Sequence, residues 1–129
     1  MEGRTHRDLD PELCGEPVEI EERRATVRLT AGERMRGDET GLVHGGFVFG
    51  LADHAAMLAV NQPTVVLGSC QARFLKPVKV GDELMAEAVV ENQEDRRFVV
   101  TCEVKRSGVT VMSGEFVCYT PERHVLAAE

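Results

Sequence analysis

The stretch from Gly41 to Asn61, GLVHGGFVFGLADHAAMLAVN, constrains the fold more than any other part of the chain. A glycine pair opens it, and from Phe47 to Val60 it is apolar almost all the way round a helical projection. A helix of that kind is buried on every side, unlike a surface helix with a single apolar stripe. Asn61-Gln62-Pro63 ends it, since proline disfavours helix in the residue before it. Within the run stands one carboxylate, Asp53, with His54 beside it. An unpaired carboxylate in an apolar helix is costly or takes a raised pKa, which makes Asp53 the leading functional candidate. The plainer alternative is a buried acid held by a structural partner such as Arg73. His54 reads as a dimer-interface or partly solvated residue.

Strand patterns surround this helix. Val18 and Ile20 alternate with acids, and Ala25, Val27 and Leu29 with polar residues, so 17–30 reads as two strands or one bent strand turning near Glu22–Arg24. Ala31–Thr40 reads as a loop, with glycines at 32 and 37. After Pro63, strands are expected over 64–76, 83–91, 96–105 and 109–119, three of them an antiparallel meander. The plan is α+β. A curved sheet buries such a helix best, and because one sheet cannot cover every side, a second copy is expected to close the rest. Residues 1–16 read as a flexible lead-in with a short helical turn near Asp10–Leu13, residues 17–120 as one domain, and 121–129 as a C-terminal tail.

Composition narrows the function. The net charge of −7 argues against general nucleic-acid binding. No apolar run reaches the roughly 18–20 residues that cross a bilayer, and the N-terminus has no signal-peptide core, so a cytoplasmic protein without a membrane partner is expected. Cys14, Cys70, Cys102 and Cys118 are scattered, form no zinc ligand set and read as reduced thiols. His44, Asp53 and His54 do not make a metal site, because adjacent helix positions diverge by about 100°.

Gly45 and Gly46 begin the helix, where free N–H groups and the helix dipole favour a developing negative oxygen. The pair also reads simply as a helix-start turn. His44 is placed to add a donor or to fix that turn. Asp53 follows Gly46 by seven residues, which puts both on nearly one face, separated by roughly 10 Å along the axis. One carbonyl cannot touch both groups of one chain; a site shared across a two-fold dimer would solve this.

His44-Gly45-Gly46 followed by Leu51-Ala52-Asp53 and Ala55 gives HGG-x-x-x-x-LAD-x-A, and Arg73-Phe74-Leu75-Lys76-Pro77-Val78 leads into Gly81-Asp82. Over about residues 17–120 this pairing resembles the hotdog-fold acyl-CoA thioesterase superfamily, in particular its phenylacetic-acid-pathway (PaaI-like) group. The resemblance implies an antiparallel sheet of five to six strands wrapped round one long central helix, dimers that often pair into tetramers, and active sites at the dimer interface. It implies Asp53 as general base, or less readily as nucleophile, with the Gly46 amide, joined by Gly45, polarising the thioester carbonyl and His44 positioning the substrate. No cofactor is implied, coenzyme A being part of the substrate.

Two positions depart from the family pattern. Asp38 stands where many relatives carry Asn, and could raise the Asp53 pKa by like-charge repulsion. Met57 stands one turn after the helix acid, where some carry Ser or Thr. Phe47, Phe49 and Met57 would line the acyl pocket. Arg36, Arg73, Lys76 and Lys79 would hold the coenzyme A phosphates, or else are solvated surface charges. Two other readings stand beside hydrolysis of a small or medium acyl- or aryl-CoA: a non-catalytic acyl-CoA binding or sensing protein, and a hotdog dehydratase.

Overall fold

In this computed structural model, which describes residues 1–128, the long helix (α2) spans Gly45–Val60. Asn61 closes it in the left-handed region (φ 49°, ψ 46°), its N–H donating to the Met57 carbonyl at 2.8 Å. Ala52, Ala55, Ala56 and Ala59 are all buried, and their small side chains let the sheet approach the helix axis closely.

Six strands form one antiparallel sheet: β1 (Glu16–Glu21), β2 (Arg24–Thr30), β3 (Val66–Phe74), β4 (Glu83–Glu94), β5 (Arg97–Arg106) and β6 (Val109–Tyr119). Their order is β1-β2-β4-β5-β6-β3, and α2 packs chiefly on β2, β4 and β5. This is the hotdog arrangement. The expected meander is β4-β5-β6. Its first strand runs to Glu94 rather than 91, because the polar residues Asn92–Glu94 pair with Arg97–Val99 and leave only Asp95 (φ 56°) and Arg96 to turn. Alternation fixes the buried face: Leu84, Ala86, Ala88 and Val90 lie beside Phe98, Val100, Cys102 and Val104. The sequence pattern leaves open where the strand after the helix goes. It pairs with β6, so β3 is one edge of the sheet and β1 the other.

The N-terminal residues are not a loose lead-in. They form a strap across the side of α2 that the sheet leaves bare. Asn61 clamps one end, accepting from Arg4 N–H at 2.7 Å and donating to the Glu2 carbonyl at 3.0 Å. The terminal ammonium donates to the Ile20 carbonyl at 2.8 Å, and Gly3 lies against Leu58. A short helix, α1 (Pro11–Cys14), is capped by the Asp10 carboxylate, which accepts from Glu12 N–H at 2.9 Å. His54 then donates from Nδ1 to the Cys14 carbonyl at 3.0 Å, which corrects its reading as an interface residue: it is 5% exposed within one chain. The argument for a dimer from helix hydrophobicity alone is corrected with it, since the strap covers Leu51, His54 and Leu58 from the same chain. The start of the C-terminal tail is tied down too. Thr64 Oγ1 donates to the Pro121 carbonyl at 2.7 Å, and Arg96 donates to the Thr120 carbonyl at 3.1 Å.

The strap enters β1 through Gly15, at φ 92°, where a Cβ would lie 2.8 Å from Leu51 Cδ1, Val27 Cγ1 and the Arg28 carbonyl. Strain and overpacking each cost about 1–3 kcal/mol, so Gly15→Ala is expected to lose about 2–6 kcal/mol in denaturant unfolding. Gly32→Ala, where a Cβ meets nothing within 4 Å, should stay within about 0.5 kcal/mol of the parent. Equal stability of the two variants would refute this account of the strap.

Candidate functional site

Asp53 lies on the part of α2 that faces the β5-β6-β3 end of the sheet. Its Oδ1 is buried and has no hydrogen-bond partner. Burial pushes its pKa from the ordinary 3.8 up to about 6, and no other cause contributes. The nearby titratable groups that feel its charge are thiols: Cys14, Cys70, Cys102 and Cys118 all have raised pKa values, first through burial and further through neighbouring charges that include Asp53. Neutral thiols bring no positive charge to offset the carboxylate. Register explains the grouping. Cys70 pairs with Phe116 and Ala72 with Gly114, which puts Cys70 on the helix side of the sheet. Phe49, one turn before Asp53, packs on Phe116 with ring centroids 5.7 Å apart.

The same parity excludes Arg73 as a structural partner. It pairs with Ser113, which pairs with Glu103, the outward row of strands whose inward residues are Cys102 and Val104. Asp38 also stays apart. Its Oδ1 accepts from Thr40 N–H at 2.8 Å and Thr40 Oγ1 at 2.6 Å, and these bonds hold its carboxyl below the usual range. Within one chain Asp38 adds nothing to the Asp53 shift, which burial alone produces.

Two turns before Asp53, the helix opens on Gly45 and Gly46. The chain reaches this turn through His44, whose N–H donates to the Met35 carbonyl at 2.9 Å and whose carbonyl accepts from Phe47 N–H at 3.1 Å. The His44 side chain does not cap the helix. Its exposed ring stands edge-on to Phe47, centroids 6.1 Å apart at 82°, and covers Gly46, where a Cβ would come within 3.1 Å of Cδ2 and Nε2. His44, Gly46 and Phe47 are therefore together, while Met57 is fully buried in the core.

Beside this first turn is a groove of about 290 Å³, lined by Leu42, Gly45, Val48, Phe74, Leu75 and Lys76, among others. Phe74 and Leu75 are 55% and 52% exposed. The second sequence motif is structural at its end. Asp82 Oδ2 accepts from Lys79 N–H at 2.9 Å and from Arg106 at 3.1 Å, fixing the turn at Gly81 (φ 98°). Arg36 pairs with Glu33 at 3.2 Å and Lys79 with Asp82 at 3.9 Å, whereas Arg73 and Lys76 have no carboxylate partner among the described residues. Sequence reasoning missed Cys70 and Phe116 as neighbours of Asp53. Strand alternation could have put each on an inner face, but not next to the acid without the place of β3 in the sheet. Among the described residues, no cluster of three or more His, Cys, Asp or Glu could hold a metal ion, and no helix is long and apolar enough to cross a membrane.

Comparison with known proteins adds to this geometry. Residues 40–113 match the family model described as Thioesterase superfamily. An uncharacterized protein from Pyrococcus horikoshii has a crystal structure that superposes with a TM-score of 0.97 at 51% identity, covering 98% of this chain and 97% of that one. The PaaI protein of the Escherichia coli phenylacetic acid degradation operon superposes at 0.80 with 28% identity, covering 87% and 83%. A methylthioribose-1-phosphate isomerase of Aquifex aeolicus is 47% identical over 116 residues, 90% of this chain. The chain spans only a quarter of that relative's length, 25%.

Asp53 makes the fold pH-dependent in a defined sense. A carboxyl whose folded pKa is raised favours the fold when protonated, so its contribution is fully present below 3.8 and lost as pH rises through about 6. Asp53→Asn removes the buried charge. It should be more stable than the parent at pH 8 by about 1–3 kcal/mol, with the advantage fading towards pH 4. Urea unfolding of both proteins at the two pH values checks this, and a variant less stable than the parent at pH 8 would contradict it.

Proposed function

Because the chain belongs to the thioesterase superfamily, we propose that it hydrolyses the thioester of a small or medium acyl- or aryl-coenzyme A. The observation that carries this reading is the buried, unpartnered Oδ1 of Asp53 with a pKa of about 6. A carboxylate with no donor of its own is free to accept a proton from water, and a pKa near the working pH suits a general base. Water adds to the thioester carbon as Asp53 takes its proton. The carbonyl oxygen becomes an oxyanion, which the Gly46 amide, helped by Gly45 and the helix dipole, stabilises. Collapse expels the coenzyme A thiolate, which takes the proton back from Asp53. The products are a carboxylic acid and free coenzyme A, and Asp53 ends as it began. The exposed ring of His44, lying over Gly46, borders the carbonyl position.

The acid and the amides are roughly 10 Å apart on one rigid helix, so each site in this reading joins Asp53 of one copy to the partner's Gly46. Edge strand β3 offers the pairing surface: it is nine residues long, and alternate residues point backbone groups that have no neighbour in the sheet outward. The groove beside Gly45 would give the pantetheine arm an apolar path, and Lys76 on its lining is the candidate to hold a coenzyme A phosphate. Arg73 on the outer face is a weaker candidate, and fully buried Met57 supports the pocket from behind.

Release of free thiol from a panel of acyl-CoAs tests the reading. Asp53→Asn should lower kcat by about 10²–10⁴-fold, and kcat/KM should rise with pH to a plateau, with a midpoint near 6, because the base acts ionised. Full activity in Asp53→Asn rejects the mechanism, and ligand stabilisation without any turnover makes the protein an acyl-CoA binder instead. Sharing has its own check. Gly46→Pro removes the amide at a position where a first helical turn accepts proline. Mixing inactive Asp53→Asn and Gly46→Pro chains should restore roughly a quarter of parent activity, since half the dimers are mixed and each has one intact site. No recovery on mixing argues for sites within single chains.

A further inference from the structure

Gly50 sits inside α2, where glycine is less favourable than alanine. Nothing within the chain requires it. Its φ is not in the left-handed region, and a Cβ built there meets no atom within 4 Å. Gly15 and Gly68 differ, because a Cβ at Gly15 would approach atoms at 2.8 Å and one at Gly68 would run into the Tyr119 ring. The space beside Gly50 is therefore kept open for something outside the chain.

Position in the helix indicates what that is. Gly46, Gly50 and Asp53 fall on one stripe of α2, with Gly50 one turn after the amide end and three residues before the acid. Phe49, packed on Phe116, flanks the stripe, and Cys70 stands half-buried on the facing strand. A protein side chain seated tightly against Gly50 would also seal in the Asp53 oxygen, which has no donor. An occupant that comes and goes, apolar beside the aromatics and reactive beside the acid, fits both observations.

We infer that Gly50 is a specificity-determining residue: its missing side chain provides the room for the acyl group next to the thioester, and so sets how bulky an acyl group the site accepts. This rests on the thioesterase reading above. Short acyl groups need little of the space, whereas aryl or branched groups need all of it.

The test is a graded series, Gly50→Ala and Gly50→Leu, assayed with acyl-CoAs from acetyl to aryl. One methylene in an apolar pocket is worth about 10–200-fold in kcat/KM, so the bulkiest substrates should fall by about 10-fold or more with alanine and by at least about 100-fold with leucine. Acetyl-CoA should stay within about threefold, the oligomeric state should not change, and the alanine variant should melt no lower than the parent. A uniform loss with all substrates, or dissociation of the oligomer, would show that Gly50 packs against another copy and overturn the inference. An unchanged profile would show that the space is bulk solvent and overturn it equally. If the parent turns over no acyl-CoA, the series is read as the thermal shift each acyl-CoA produces. Size-selective loss of that shift upholds the role of Gly50 while the hydrolytic reading fails; no shift in the parent with any acyl-CoA removes both.

Discussion

Desolvation of one carboxylate governs the design. Asp53 is dry enough to have its pKa raised to about 6, and no charge or donor from the chain offsets the cost. A group of that kind survives only if the surrounding fold is stable without it. The aliphatic sheet face and the alanines of α2 supply that stability. Thiols rather than cations surround the acid, so its pKa is not drawn down again. The raised pKa is thus a property of the packing, not of a paired charge.

The strap makes this packing possible within one chain. His54 follows Asp53 directly, so the two side chains leave the helix about 100° apart and face different surroundings. His54 turns to the strap and holds the Cys14 carbonyl, and Asp53 turns to the open end of the sheet. Burial lowers the His54 pKa, so its contribution to stability is lost as pH falls, whereas protonation of Asp53 favours the fold. Acid therefore acts in opposite senses on two neighbouring residues. The strap is weakened under the conditions in which the carboxyl is protonated.

The helix, the existence of the strands and the inner residues of β4 were legible in the sequence because each is a local pattern. Periodicity, a glycine pair and an Asn-Gln-Pro stop need no knowledge of the rest of the chain. The strap was not legible. Its contacts are made by backbone carbonyls of Glu2 and Cys14, which carry no side-chain signature, and the residues that grip them, His54 and Asn61, lie about 40 to 60 positions away. Within one chain Asp38 is held away from Asp53 for a related reason. A short-range bond to Thr40 takes up its carboxylate, as Asp at a loop start commonly does. The place of β3 depends on which strand it pairs with, and that pairing decides that Cys70 faces Asp53 and Arg73 does not.

A helix is a ruler, and that explains why the proposed site needs a second copy even though the fold does not. The strap and sheet already bury every residue of α2 from Leu51 onward except the half-buried Asp53, so core hydrophobicity makes no demand for a partner. What remains exposed is the first turn, with Gly46, His44 and the neighbouring Phe74, and the edge of β3. The seven residues from Gly46 to Asp53 fix a spacing of roughly 10 Å that no side-chain rearrangement can shorten. A thioester carbonyl is a single bond long, and its oxygen and its carbon must meet the amide and the activated water together. In the proposed reaction, the rigidity of α2 therefore leaves one chain short of a complete site.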